Sequence, residues 1–165
     1  MALAVRNQAI ASATAKLLAF TFTNGKRVQR VKRRPLRTSD LKASESYPTV
    51  YIYGARVAVR ETELGAPDGP ASGFETHVEA IHVTTIVKGA DDDLDELGGE
   101  VVADLEKLLA GTGTLEDGTT YQLIPQASEL SWPAGVTEMV GASMRFELRI
   151  GHTFGDPRDT AGGFA

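Results

Sequence analysis

From Ala142 to Phe154 the chain alternates almost without fault. Ala142, Met144, Phe146, Leu148, Ile150, His152 and Phe154 fall in one phase, and Ser143, Arg145, Glu147, Arg149, Gly151 and Thr153 fall in the other. A period of two marks a strand with one buried and one wetted face. The turn cluster Gly155-Asp156-Pro157 ends it. Residues 49–60 (TVYIYGARVAVR) and 76–88 (THVEAIHVTTIVK) are rich in β-branched and aromatic residues and predict two more strands. Gly54 interrupts the first of them and predicts a bulge, after which Ala55, Val57 and Val59 share one face. Between these strands lies GAPDGPASG, residues 65–73, a flexible tip, so the pair reads as a long antiparallel hairpin.

Two segments change period. Residues 3–20 place Leu3, Ile10 and Leu17 at heptad spacing, with Ala13, Thr14 and Leu18 on the same broad face, and predict an alanine-rich helix. Phe20-Thr21-Phe22 then turns β-like, and Asn24-Gly25 is a strong turn signal. After Gly89 a second helix is predicted. Asp91, Asp92 and Asp93 sit where acids complement the helix dipole, and Leu94, Leu97, Val101, Leu105 and Leu108 form the apolar stripe. Gly111 is read as its C-terminal cap. Gly98-Gly99 conflicts with the helical pattern and predicts either a close approach by a neighbour or a helix start near Gly99. Residues 119–124 and 127–132 predict two further short strands. The resulting fold class is α+β: a mainly antiparallel or mixed sheet with two helices packed on it. Residues 1–157 are read as a single domain and 158–165 as a flexible tail.

Charge adds one feature. Net charge is −5 over 165 residues. Residues 1–42 hold ten Lys/Arg against one acid, Asp40, for +9. The remaining residues hold seven Lys/Arg against twenty-one acids, for −14. Residues 26–37 alone place seven Lys/Arg in twelve positions. Val28 and Val31 are three apart, so alternation fails, and Pro35 removes a ladder donor. This stretch is read as an edge strand or extended arm, a charged edge that resists aggregation. Charge segregation on this scale favours head-to-tail association or docking on an anionic partner.

No catalytic constellation emerges. The chain has no cysteine, which excludes disulfides and thiolate metal sites. Its apolar runs fall short of the roughly 18 residues that span a bilayer, so no membrane partner is expected. Arg6, Asn7 and Gln8 interrupt the apolar core a signal peptide needs. His77 and His82 are five apart in a strand, hence on opposite faces, and no HExxH or carboxylate-histidine cluster surrounds them. The acids from Asp91 to Glu96 lack calcium-loop spacing. No phosphate loop, dinucleotide fingerprint or nucleophile elbow is present. No enzyme activity, cofactor or metal is therefore expected. Tyr47, Tyr51, Tyr53 and Trp132 are read as sheet packing, with an interface role as the alternative. The candidate site is the basic arm, with Arg30, Arg33, Arg34 and Arg37 as partner contacts. It would also serve as a phosphate track, but no aromatic residue interleaves it to stack on bases.

Three local patterns, taken with the element order, resemble the tail terminator proteins of long-tailed bacteriophages. They are the opening helix RNQAIASATAKLLA, the basic segment leading into YPTVYIYG, and the ending ELSWPAGVTEMVGASMRFELRIGHTFGDP. The match is of pattern over about residues 5–157 and carries no fixed motif. The resemblance implies a small α+β virion protein without catalysis or cofactor, assembled in the host cytoplasm. It would form a ring, commonly a hexamer, at the head-proximal end of the tail. The ring's partners would be the tail tube protein and the head-tail connector, with non-specific DNA contact in the lumen. A head-tail neck component, or a nucleic-acid-binding module built on 26–37, are the alternative readings.

Overall fold

The computed structural model describes residues 5–42, 47–63, 74–133 and 138–153. The loop 65–73, the Gly155–Pro157 stop, Leu3 and Phe154, and the tail 158–165 lie outside them. The fold is α+β. In chain order the elements are α1 (Val5–Leu18), β1 (Arg30–Lys32), β2 (Thr49–Glu63), β3 (Phe74–Lys88), α2 (Leu94–Leu109), β4 (Gly111–Thr114), β5 (Thr120–Ser131) and β6 (Met139–Thr153). The strands form one six-stranded sheet in the order β1-β2-β3-β6-β5-β4. β1 runs parallel to β2, and the remaining neighbours are antiparallel.

Both helices lie on one face of the sheet. α2 packs on β6, β5 and β3. α1 touches β1 and β2 at one end of the strand order and β4 at the other, so the sheet curls around it. The closure has a polar stitch: Tyr121 donates its hydroxyl to Ser12 Oγ at 3.1 Å, and Ser12 donates to the Thr114 carbonyl at 3.3 Å. The alternation in β6 is realised. Ala142, Met144, Phe146, Leu148 and Ile150 are buried against the helices, while Arg145 is exposed and Ser143, Glu147 and Arg149 are half-buried. Across the ladder Phe146 faces Ile81 on β3 and Pro125 on β5, in the middle of the core.

The helices differ from their predicted stripes in instructive ways. In α1 the buried set is Ala9, Ile10, Ala13 and Leu17, whereas Leu18 is exposed. At 100° per residue Leu18 lies roughly 120° from the centre of that set, too far round to share it. α2 begins at Leu94, not near Gly99, and buries Leu94, Gly98, Val101, Leu105 and Leu109, with Leu97 and Leu108 half-buried. The stripe is rolled toward Gly98. A Cβ there would lie 2.9 Å from Leu130 Cδ2 and 3.2 Å from Val140 Cγ2, so glycine is what lets the helix settle on β5 and β6.

Two strands differ from the expectation. The predicted strands 119–124 and 127–132 are one element, β5. Its ladder slips between Pro125 and Ala127, since Pro125 has no N–H to donate. β4 was missed because Gly111-Thr112-Gly113-Thr114 reads as loop. Gly113 is instead strand backbone on which the Tyr121 ring rests, in the space a side chain would fill. Gly54 does mark an irregularity: the β2–β3 register shifts between Gly54 and Ala58.

Candidate functional site

The basic arm divides when it folds. Val28 is buried, and its N–H donates to the Phe20 carbonyl at 3.1 Å. Asn24-Gly25 turns the chain tightly before it, with Gly25 at φ +81°. Arg30 to Lys32 pair with β2 as a short edge strand. The chain then leaves the sheet edge and crosses the face opposite the helices. There Leu36, Leu41 and Tyr47 pack on a small cluster of Tyr51, Ile86 and Met139.

Asp40, the one acid among the first 42 residues, organises that crossing. Arg34 binds it with both ends of its guanidinium, Nη1 to Oδ2 at 2.7 Å and Nη2 to Oδ1 at 2.6 Å. The Arg37 N–H donates to Oδ2 at 2.9 Å, and Lys32 Nζ is 3.5 Å from Oδ1. Lys32 and Arg34 also lie over the Tyr51 ring, each 5.6 Å from its centroid. The Arg34 hydrogen bonds hold the Asp40 carboxyl well below the usual carboxylate range. Burial opposes them, and the Arg37 N–H and the two cations assist.

The four candidate residues therefore separate. Arg34 is half-buried and structural, while Arg30 on the edge strand and Arg33 and Arg37 on the crossing after it are exposed. Asp40 is the residue whose role was not foreseen. Its signal was its isolation among ten cations.

A second buried acid lies on the helix side of the sheet. Glu79 is 3% exposed and accepts from Arg6 Nε at 2.5 Å. It occupies the same phase of β3 as Ile81 and Val83, an acid in an apolar register. The Arg6–Glu79 pair fills the space a side chain at residue 54 would take, which accounts for Gly54 and the bulge beside it. Arg6, Ile10, Arg33, Arg34, Ile52 and Tyr53 line a cleft of about 350 Å³ at this corner, with α1 on one side and the basic arm on the other. Three arginines and the apolar Ile10 and Ile52 thus contribute to its lining.

The other polar candidates do not converge. His82 stacks on Tyr53, centroids 5.1 Å apart and planes 11° apart, and pairs across β6 with Arg145. Burial, and then the Arg145 charge, push its pKa below the usual histidine value. Among the described residues no group of His, Asp and Glu is placed to hold a metal ion, and no helix is long and apolar enough to cross a membrane. Tyr51 is buried and Tyr47 and Tyr53 half-buried, but Trp132 is 55% exposed and does not pack as a sheet residue.

The acids of α2 face the other way. Asp92, Asp93, Asp95, Glu96, Glu100 and Glu106 are exposed. Only Asp104 is tied inward, accepting from the Thr23 N–H at 2.8 Å and the Thr23 hydroxyl at 2.7 Å. A scan against protein-family models finds no match to the chain, and a search of curated proteins finds none.

Proposed function

We propose that this protein is a structural virion component that assembles as a ring on the end of a phage tail tube, halts tube growth and joins the tail to the head. The observation that carries this reading is the survival of charge segregation in three dimensions. Exposed Arg27, Arg30, Arg33 and Arg37 lie on β1 and on the chain to either side of it, while the exposed acids of α2 lie on a helix packed over β3, β5 and β6. Two unlike, complementary patches on one chain favour heterologous contacts, which close into rings when the rotation permits. An α+β architecture is also what the resemblance to tail terminators implies. The partners in this reading are further copies of the chain, the tail tube protein and the head-tail connector. DNA passing through the lumen would meet exposed arginines without base readout.

The test is reconstitution. Purified protein added to polymerising tail tube subunits should bind one end of the tubes and arrest their growth. Tubes that keep growing, with no protein at their ends, would overturn the reading. Normal-length tails left without heads, in virus lacking the protein, would move the assignment to a neck component.

A further inference from the structure

Two surface features have no account among the described residues. The first is the arginine-lined cleft. Arg6 and Arg34 are each bound to a buried carboxylate, but Arg33 is exposed and has no ion-pair partner among the described residues. Arg6 is in the first turn of α1, where the helix dipole adds positive potential. Ile10 and Ile52 form the floor, and Tyr53 is one wall. This is a concave, electropositive site with an apolar base.

The second feature is Gly99. Its neighbour Gly98 is explained by Leu130 and Val140, but a Cβ on Gly99 would meet no described residue within 4 Å. Glycine is the poorest helix former after proline, and no described residue requires it here. Gly99 and exposed Ala103 lie in the middle of the acidic outer face, with Asp92, Asp95, Glu96 and Glu100 around them. Missing side chains at the centre and carboxylates at the rim give a helix surface that a partner can approach closely.

We propose that these two features meet: the outer face of α2, centred on Gly99, docks at the arginine-lined cleft of a second copy of this chain. The inference rests on the ring reading and names its subunit contact. The cleft is framed by α1, β2 and the arm after β1, whereas α2 rests on β3, β5 and β6, so the two surfaces belong to different flanks of the molecule. Each copy then offers one of each, the condition for a head-to-tail ring. Acidic α2 excludes a phosphate backbone as its partner and is matched in sign by the cleft.

Complementary charge reversals test this, with assembly read by mass photometry on the full chain, both free and on tail tubes. Arg33→Glu damages the cleft only. Glu96→Arg with Glu100→Arg damages the helix face only. Each variant should keep the wild-type circular dichroism spectrum and assemble at least tenfold more weakly. A 1:1 mixture should recover assembly, because each reversed surface then finds a reversed partner while the two intact surfaces pair as before. Gly99→Ala should raise the melting temperature yet weaken assembly. The absence of cysteine gives a direct check: Arg33→Cys and Gly99→Cys copies, mixed and treated with a short bismaleimide, should cross-link to each other and not to themselves. Folded reversals that assemble like wild type, or a mixture that recovers nothing, would overturn the contact while leaving the ring intact. A wild-type chain that never self-associates, with or without tubes, would overturn the ring reading itself.

Discussion

The two faces of the sheet are built by different rules. On the helix side burial follows the strand period: Ala142, Met144, Phe146, Leu148 and Ile150 on β6 meet Ile81 and Val83 on β3 and Val50 and Ile52 on β2 in one continuous core. On the opposite side the buried apolar cluster is small, Tyr51, Ile86 and Met139, and it is covered by irregular chain from the basic arm. That cover is fastened by charge. Arg34, Lys32 and the Arg37 N–H gather on Asp40, and elsewhere on the face the contacts are polar, such as the Thr84–Ser143 hydroxyl pair at 3.0 Å. Periodic burial builds the scaffold. A single well-placed acid decides which part of a cationic run becomes structure and which stays outside for a partner.

The contrast is broken most forcefully in the core. Phe146 is fully buried, and deleting such a side chain costs about 3–5 kcal/mol against a total stability of about 5–15. Glu147, one residue on, is half-buried on the other face and paired with Arg149 at 2.6 Å. A partly exposed pair of this kind contributes about 0–1 kcal/mol. Urea unfolding of Phe146→Ala and Glu147→Ala should therefore differ several-fold, and equal losses would show that the faces are misassigned.

The charge-fastened cover should yield a smaller but distinct effect. Asp40 is buried while Arg34 is about one-third exposed. Arg34→Ala should thus cost about 2 kcal/mol, between the roughly 0–1 of a surface pair and the 3–5 of a fully buried one. Reversing Arg33 together with Arg34 would for this reason damage the fold as well as any interface, whereas Arg33 alone can be reversed safely. The Asp40 pKa is depressed on folding, so its stabilisation is complete above its ordinary value of 3.8 and is lost as pH falls from there toward the folded value. The stability gap between wild type and Asp40→Asn should be constant from neutral pH to about 4 and shrink below it. A gap that persists unchanged at pH 2 would mean that the carboxylate does not fasten the arm.

Smaller still is the difference between the paired glycines. Gly99→Ala should stabilise the monomer by up to about 1 kcal/mol through helix propensity. Gly98→Ala should gain less, because its Cβ must displace Leu130. Calorimetry that finds the larger gain at Gly98 would contradict the packing of α2 on β5. On the outer face His82 has a pKa below 6.5, so the unfolded chain takes up its proton first as pH falls. His82→Gln should therefore remove a modest loss of stability that sets in below pH 6.5, and an unchanged pH profile would show that His82 titrates as in the unfolded chain.

What was legible in the sequence follows the same division. The α+β class, both helices, the long hairpin, the Gly54 irregularity and the inward phase of β6 rest on periodicity or on glycine, which act locally. β4 was hidden because Gly113 seats Tyr121, a contact across the hairpin, while Gly111 takes a left-handed φ of +102°. β5 was split because Pro125 breaks a ladder without ending the strand. The roll of α2 depends on Leu130 and Val140, far away in sequence. Within the candidate site, Arg30, Arg33 and Arg37 were placed correctly on the surface by charge alone. Arg34 could not be told from them, since only the folded path brings Asp40 between its two nitrogens.

The most direct test of the proposed role is the length distribution of tails in virus particles made without this protein, seen by electron microscopy. The account predicts tails that grow well beyond their normal length and carry no heads, restored to normal by wild-type protein. Tails of normal length joined to filled heads would contradict it.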